Sequence, residues 1–530
     1  MSVDKHTSSF EEKALSVDRD IVVETEPVSP HVEEKRLVRK LDWRIMPIAC
    51  IMYLFAYLDR TNLGNARLQG LPQDTLHGDP TGVLFDWVNS VFFFSYVDHL
   101  SNTRNDFVEA VPSPYLAWLR GRWMGSLLGA HGTIIPPKFL LCPDRIIEAT
   151  AFDFGGLVVA RIGLGVFEAG FGPGIPLYMS FFYTKEEMGM RMAYWFGFAA
   201  VAGAFGGLIA FGIQHVHAAV ANWKLLFIVE GVPTVLIGLL SMLILPNRPE
   251  ETTMFNEKER ELALERINRG IKADVGKTVN KSHIYAAFKD WRIYAAGVLY
   301  FGANCALASI SAFLPTIITT FGYTNALAQL LTVPPYAVAA VYLCLNSYTS
   351  DRLQSRGIFI AAASTLAGVG YILLLTVPSN NHVRYFATFC ITSGTYTTIG
   401  VIIAWFAHNL GSETKKATGI PMYMAIGQCG SVLGSHLYPK TDGPRYMLVA
   451  LCLLVCLNWL ADPAVIVNDS RGFAVTCALQ FVAAIAALVL TVSYRLENKR
   501  RDKKYGKPIR DAPVDTLELA DQAPMFRYTP

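Results

Sequence analysis

Charge is what this chain has least of. Of its 530 residues, 17% are Asp, Glu, Lys or Arg, against roughly a quarter in soluble globular chains. Residues 293–350 contain none of the four. A chain this long with so few charges does not need water around most of its surface. The formal net charge of +3 is too small to point to a nucleic-acid partner. The soluble-enzyme signatures are also missing. There is no G-x-x-x-x-G-K-[ST] phosphate loop, no H-E-x-x-H and no G-x-S-x-G, which excludes a pump or hydrolase built on those motifs. Gly163-Leu-Gly165 begins like a dinucleotide fingerprint, but it lies in an apolar run with no strand before it. Nine cysteines form no metal-ligand or redox spacing and read as small apolar residues. No metal or cofactor is implied.

What is there is a series of long apolar runs. A helix needs about 20 apolar residues to cross roughly 30 Å of hydrocarbon. Ten stretches meet this: 45–64, 155–180, 191–214, 223–245, 293–320, 329–348, 358–377, 384–407, 417–437 and 472–494. Two weaker ones lie at 83–97 and 123–135. The pairs Gly170/Gly174, Gly203/Gly207 and Gly430/Gly434 have the spacing that lets membrane helices pack closely. The longest polar break, 246–292, carries ten Lys or Arg, with helical charge spacing from Asn256 to Arg269. It divides the chain into six spans before and six after. The expected fold is an all-α membrane protein of twelve transmembrane helices in two pseudo-symmetric six-helix bundles, 45–245 and 293–494. A disordered cytoplasmic tail (1–44), the linker 246–292 and a cytoplasmic tail (495–530) complete it. No signal peptide is visible ahead of the first apolar run.

Basic residues flank the spans on one side: Arg36, Arg39, Lys40 and Arg44; Arg352 and Arg356; Lys415 and Lys416; then Arg495 to Lys504. By the positive-inside bias, twelve spans place all of these, and both termini, in the cytoplasm. Residues 447–467 are apolar enough for a thirteenth span, but that would move the basic tail outside. Asn458, Asp462 and Pro463 also suit a lipid-facing helix poorly. This stretch is therefore read as an insertion.

Ionisable groups inside spans cost on the order of 3 kcal/mol each and mark function by default. Asp59 and Arg60 end the first apolar run, and Arg161 and Glu168 lie two turns apart in the fourth, on one helix face. Two acids and two bases can neutralise one another as a static network. They can also work. A fixed arginine binds an organic anion at any accessible pH, and a buried carboxylate, Asp59 or Glu168, can alternate between pairing with that arginine and taking a proton. Tyr57, Asn304, Gln428 and Trp405 are weaker candidates for lining the substrate site. His408 and His436 sit near span ends.

These stretches resemble a known family. LDWRIMPIACIMYLFAYLDRTNLGNARLQGL and GGLVVARIGLGVFEAGFGPGIPLYMSFFY resemble the major facilitator superfamily, in its anion:cation symporter branch, and most closely the fungal allantoate permease group of nicotinate-, pantothenate- and allantoate-type carriers. NSYTSDRLQSRG (346–357) resembles the superfamily's cytoplasmic loop signature, with Asp351, Arg352, Arg356 and Gly357 in place. PNRPEET and GSETKKATGIPMYMAIGQCGSVLGS also match. The resemblance implies proton-coupled symport of a small organic anion. Arg60, Arg161 and Tyr57, with Gln428 less surely, would bind substrate, and Asp59 and Glu168 would couple protons. It implies a multi-pass protein of the plasma membrane, expected to be a monomer, whose partners are substrate, protons and the bilayer. Two stretches depart from the family pattern. Within 97–153, EAVPS and RWMGSLLGAHGTI are family-like fragments separated by foreign sequence, and 447–470 is extra. Both look like retained intron translation or a mis-assembled gene model. The rival readings are a passive facilitator of a polar solute with the same fold, a membrane-embedded enzyme, for which no catalytic constellation is visible, and a non-functional product of a mis-spliced gene.

Overall fold

The structure is a computed structural model, and it describes residues 30–109, 151–168, 171–216, 219–246, 249–250, 252–268, 271–272, 281–437, 471–508, 514–516 and 518–530. The first half consists of α1 (Pro30–Leu68), α2 (Leu71–Thr75), α3 (Val83–Glu109), α4 (Phe154–Glu168), α5 (Phe171–Ser180), α6 (Lys185–Gln214) and α7 (Asn222–Ile244). The linker holds α8 (Glu257–Asn268), a two-residue strand β1 (Ile271–Lys272) and α9 (Lys281–Lys289). The second half consists of α10 (Trp291–Thr319), α11 (Asn325–Leu330), α12 (Val333–Leu353), α13 (Arg356–Thr376), α14 (Asn381–Asn409), α15 (Glu413–Ser435) and α16 (Arg471–Tyr505). Strand β2 (Val514–Asp515) pairs in parallel with β1.

Eight helices among the described residues are long and apolar enough to cross a membrane, and α3 and α4 contain shorter apolar stretches. With α15, which packs between α3 and α10, these supply eleven of the twelve expected crossings. The third, 123–135, lies outside the described residues, as do Gly170 and the insertion 447–470. Helix α3 runs on to Glu109, through the start of the stretch that departs from the family pattern. Helix α1 begins at Pro30, inside the segment expected to be a disordered tail. Likewise α16 continues to Tyr505, past the expected span end.

Polarity is arranged for a lipid solvent. Large apolar side chains face outward, among them Leu236, Leu243, Val341, Leu345, Ile485 and Val492, where a soluble protein would place polar groups. Asp59, Arg161, Glu168 and Glu230 are buried. The most apolar windows of α10 and α14 are 83% and 89% buried, against 39% for α7, so α10 and α14 are central and α7 faces lipid.

Glycine permits the tightest crossings. A Cβ at Gly430 or Gly434 would run into the backbone carbonyls of Phe301 and Cys305 on α10. At Gly203 it would lie 2.9 Å from the Tyr336 ring, and at Gly207 2.7 Å from the carbonyl of Gln329. Two of the three small-residue pairs thus sit where helix backbones approach. The second joins the first half to the second through α6, α11 and α12.

The basic segments gather at one end. Asp42 of α1 holds Arg191 of α6 through two bonds of 2.6 and 2.7 Å. Linker helix α8 docks on the same end through Lys40–Glu259 (2.8 Å) and Arg266–Glu187 (3.3 Å). Residues 518–530 fold back over this end of the second half. Lys415 pairs with Asp521 at 2.7 Å, Arg292 donates to the Tyr528 hydroxyl at 2.9 Å, and the Arg356 amide donates to the Pro530 carbonyl at 2.6 Å. Tyr528 stacks on Tyr494 of α16, and burial holds its phenol above the usual range.

Candidate substrate site and coupling pair

An arginine in the middle of an apolar helix needs a counter-charge, and α1 finds its own on α4. Arg60 Nε donates to Glu168 Oε1 at 2.8 Å, and Glu168 is 6% exposed. The guanidinium also sits 5.3 Å from the ring centres of Phe92 and Tyr96 on α3, within cation–π range. Three helices of the first half thus fix one cation.

That cation lines a cavity between the halves. Its wall includes Tyr57, Arg60 and Asn89 from the first half, and Asn304, Ser311, Gln428 and Ser431 from the second. The Tyr57 hydroxyl lies 3.3 Å from Ser311 Oγ, and Ser431 donates to Gln428 Oε1 at 3.0 Å. Tyr57 continues into an aromatic cluster, with Tyr396 at 6.0 Å, Tyr53 at 6.0 Å, and Trp195 4.1 Å beyond Tyr53. The cavity measures about 30 Å³. That holds a water or two, whereas small-molecule pockets run to about 300 Å³ or more. The conformation is therefore closed around the site, and an organic substrate needs the halves to separate.

Contacts between the halves explain the closure. At the end away from the linker, Asn89 donates to Ser435 at 2.9 Å, and Ser90 lies 2.7 Å from His436 Nε2. Gln329 donates to the Asn65 carbonyl and Asn325 to that of Leu68. At the linker end the loop signature makes the join. Asp351 and Arg356 pair at 2.8 Å, Arg356 also reaches His408 Nδ1 at 3.1 Å, and the pair sits against Gly189 of α6, where a Cβ would collide with both side chains. A Cβ at Gly357 would meet the Thr491 hydroxyl and the Trp405 ring. Arg352 is exposed and lies over the Tyr348 ring at 4.8 Å.

The structure brings Tyr57, Arg60, Asn304 and Gln428 to one cavity, with Glu168 directly behind Arg60. Asp59 and Arg161 are buried in the same half but do not line that cavity. Trp405 belongs elsewhere: its indole donates to the Thr529 carbonyl at 2.7 Å and packs on Tyr494. It is neither lipid-facing nor part of the cavity wall. The sequence reading placed only two acids within spans, and the structure adds two more buried ones, Glu230 on α7 and Asp86 on α3. It also adds Asn89, Ser311 and Ser431 to the wall. Their only sequence signal is a small polar residue in an apolar span, which helix packing produces equally often.

The family model of the Major Facilitator Superfamily matches residues 49–435. The chain belongs to this superfamily. A relative in Emericella nidulans, the major facilitator-type transporter hxnP, is 32% identical over 93% of each chain. The high-affinity nicotinic acid transporter of Saccharomyces cerevisiae is 28% identical over 99% of this chain and 91% of its own. Among solved structures, the partially occluded inward-open xylose transporter XylE of E. coli superposes with a TM-score of 0.54 at 12% identity, covering 86% of this chain and 98% of its own. The bacterial homologue of the lysosomal transporter Spinster, inward-facing and occupied, gives 0.52 at 14%, covering 86% and 96%. At such identities these structures speak for the fold alone. Superfamily membership and the apolar helices make this chain a multi-pass membrane transporter.

Proposed function

We propose that this transporter carries a small organic anion, a planar carboxylate by preference, together with protons, inward across the plasma membrane with both termini in the cytoplasm. The observation that carries the reading is the Arg60–Glu168 pair at the wall of the inter-half cavity. A substrate carboxylate entering the cavity competes with Glu168 for the Arg60 fork, which suits two oxygens of one planar group. Glu168, displaced from its cation in a site shielded from water, takes a proton. Substrate and proton then load together, and each raises the affinity for the other, because binding couplings are reciprocal. With both loaded the buried charge is neutral, and the two halves can rock around the site. Tyr57, Asn304 and Gln428 orient the rest of the molecule. The ring cluster beside Tyr57 suits a flat substrate, in keeping with a relative that is a nicotinic acid transporter.

Uptake of radiolabelled nicotinate, with a panel of other carboxylates as competitors, tests the anion site. Arg60→Ala is expected to abolish recognition of every carboxylate in the panel. Arg60→Lys keeps the charge, loses the fork and is expected to be impaired. Unchanged affinity in Arg60→Ala would remove the assignment.

A further inference from the structure

Away from the transport site, the linker end holds a much larger cavity of about 670 Å³, bounded by α9, the start of α10, the end of α16 and residues 521–528. Five basic side chains line it, Lys289, Arg292, Arg500, Arg501 and Lys504, and three acidic ones, Asp290, Glu497 and Asp521. The acids are already engaged. Asp290 and Asp521 share Lys415 at 2.7 Å each, and Glu497 takes Arg501 at 3.0 Å and Arg500 at 3.4 Å. Lys289, Arg292 and Lys504 have no carboxylate within ion-pair distance among the described residues, and the buried Nε of Arg292 has no hydrogen-bond acceptor. The cavity is thus a concave site whose wall carries more basic than acidic side chains.

Its position supplies the second half of the argument. The cavity runs into a groove of about 400 Å³ that shares Arg292, Glu497 and Arg500 with it and is walled by Val489, Val492 and Leu496 of α16. Those three are at least half exposed, at 50%, 54% and 61%, on a helix that crosses the bilayer. Tyr285 and Trp291, 69% and 50% exposed, flank the mouth, and such rings settle at the headgroup level. Polar at its inner end and apolar along its outer wall, the composite groove has the profile of one lipid molecule. Basic pockets at the cytoplasmic ends of spans recognise anionic headgroups in this way.

We infer that this groove is a specific site for an anionic phospholipid of the cytoplasmic leaflet whose phosphorylated headgroup carries more than one negative charge. The phosphate oxygens accept from Lys289, Arg292 and Lys504, and an acyl chain lies along Val489, Val492 and Leu496. Because residues 521–528 form one wall, an occupied site also ties the folded-back segment to α9 and α16. The inference rests on the proposed orientation only for the choice of leaflet.

The test uses the full chain in phosphatidylcholine nanodiscs doped with phosphatidylinositol 4-phosphate, with retained lipid read by native mass spectrometry. Soluble inositol trisphosphate and inorganic phosphate serve as separate arms. The expected result is selective retention of the phosphoinositide over phosphatidylcholine, weakened about thirtyfold in Lys289→Gln/Lys504→Gln, since each exposed cation near the surface contributes about a factor of five. Leu496→Ser is expected to weaken lipid retention while leaving any binding of the soluble phosphates unchanged. Equal retention of phosphatidylcholine, or lipid binding untouched by the double substitution, overturns the site. Soluble phosphates binding as tightly as the lipid, with Leu496→Ser silent, overturn the lipid in favour of a free phosphate. Both variants lie on the surface, and monodisperse elution checks their folding. The readout involves no transport, so its failure leaves the Arg60–Glu168 reading standing. An epitope after Pro530, reachable only from the cytoplasm, checks the leaflet separately.

Discussion

The two halves of this transporter share a fold and divide the chemistry. The first half buries Asp59, Asp86, Arg161, Glu168 and Glu230 in its spans and sets the part-buried Arg60 at the cavity wall. The second presents to the same cavity only neutral groups, Asn304, Ser311, Gln428 and Ser431. Its residues 293–350, which take in α10 beyond Arg292 and most of α12, are free of charge altogether. Buried charge is tolerated only when paired, and a pair that substrate and proton can open is a coupling device. Neutral amides and hydroxyls cannot exchange a proton near neutral pH, but they can read substrate shape. In the proposed mechanism, the contrast assigns coupling to the first half and shares selectivity with the second.

The largest effect should come from breaking the charged side. Arg60→Ala removes the cation that buried Glu168 bonds at 2.8 Å, and removing one partner of such a pair costs about 2–5 kcal/mol. Uptake of a carboxylate should fall about a hundredfold or more, measured as initial rate in vesicles. If Gln428→Ala did the same damage, the division between the halves would be wrong. Next in size is the packing of the second half. Gly430→Leu drives a side chain into the Phe301 carbonyl and should cost about 1–3 kcal/mol, read as a lower melting temperature of the detergent-solubilised protein. Normal stability would mean that α10 and α15 are not so close. The neutral wall should respond more mildly. Gln428→Ala or Asn304→Ala removes about one hydrogen bond, near 1 kcal/mol, so KM should rise about fivefold with the pH dependence of uptake intact. A changed proton requirement would move coupling into the second half.

The smallest effect is expected at the surface. Lys40–Glu259 is exposed, and Lys40→Ala should change stability by less than about 1 kcal/mol. Burial pushes the Glu259 carboxyl up, but Lys40 and the Asn256 amide outweigh it and hold the carboxyl below its ordinary value. A lowered carboxylate stabilises the fold above its ordinary range and loses that contribution as pH falls through the lowered value. The difference between Lys40→Ala and the parent should therefore vanish in acid. A difference that grows on acidification would show that the pair does not form.

Much of this was legible in the sequence, for a physical reason. A charge in an apolar run is so costly that Arg60 and Glu168 stand out against their surroundings. Span lengths, the basic linker and the Gly430/Gly434 spacing speak as plainly. The sequence does not say that Arg60 closes on Glu168, 108 residues away, because helical spacing reports faces within a helix and not partners across helices. Glu230 lies in an apolar run as Glu168 does, yet it entered the reading only with the structure. Trp405 misleads because an indole in a span can face a cavity, lipid or another segment, and its partner Thr529 comes from a tail with no apolar pattern. Asn89, Ser311 and Ser431 are individually unremarkable, and only their convergence on one cavity marks them.

The central claim is that Glu168 exchanges Arg60 for a proton when substrate binds. Glu168→Gln imitates the permanently protonated carrier. Vesicles containing it should be assayed side by side for uptake driven by an imposed pH difference and for counterflow exchange with substrate on both sides. Retained exchange with lost pH-driven accumulation is the predicted result, and Asp59→Asn, measured alongside, shows whether the second buried acid shares the task. If Glu168→Gln still concentrates substrate against its gradient when only a pH difference is imposed, the ion pair is structural and protons move by another route.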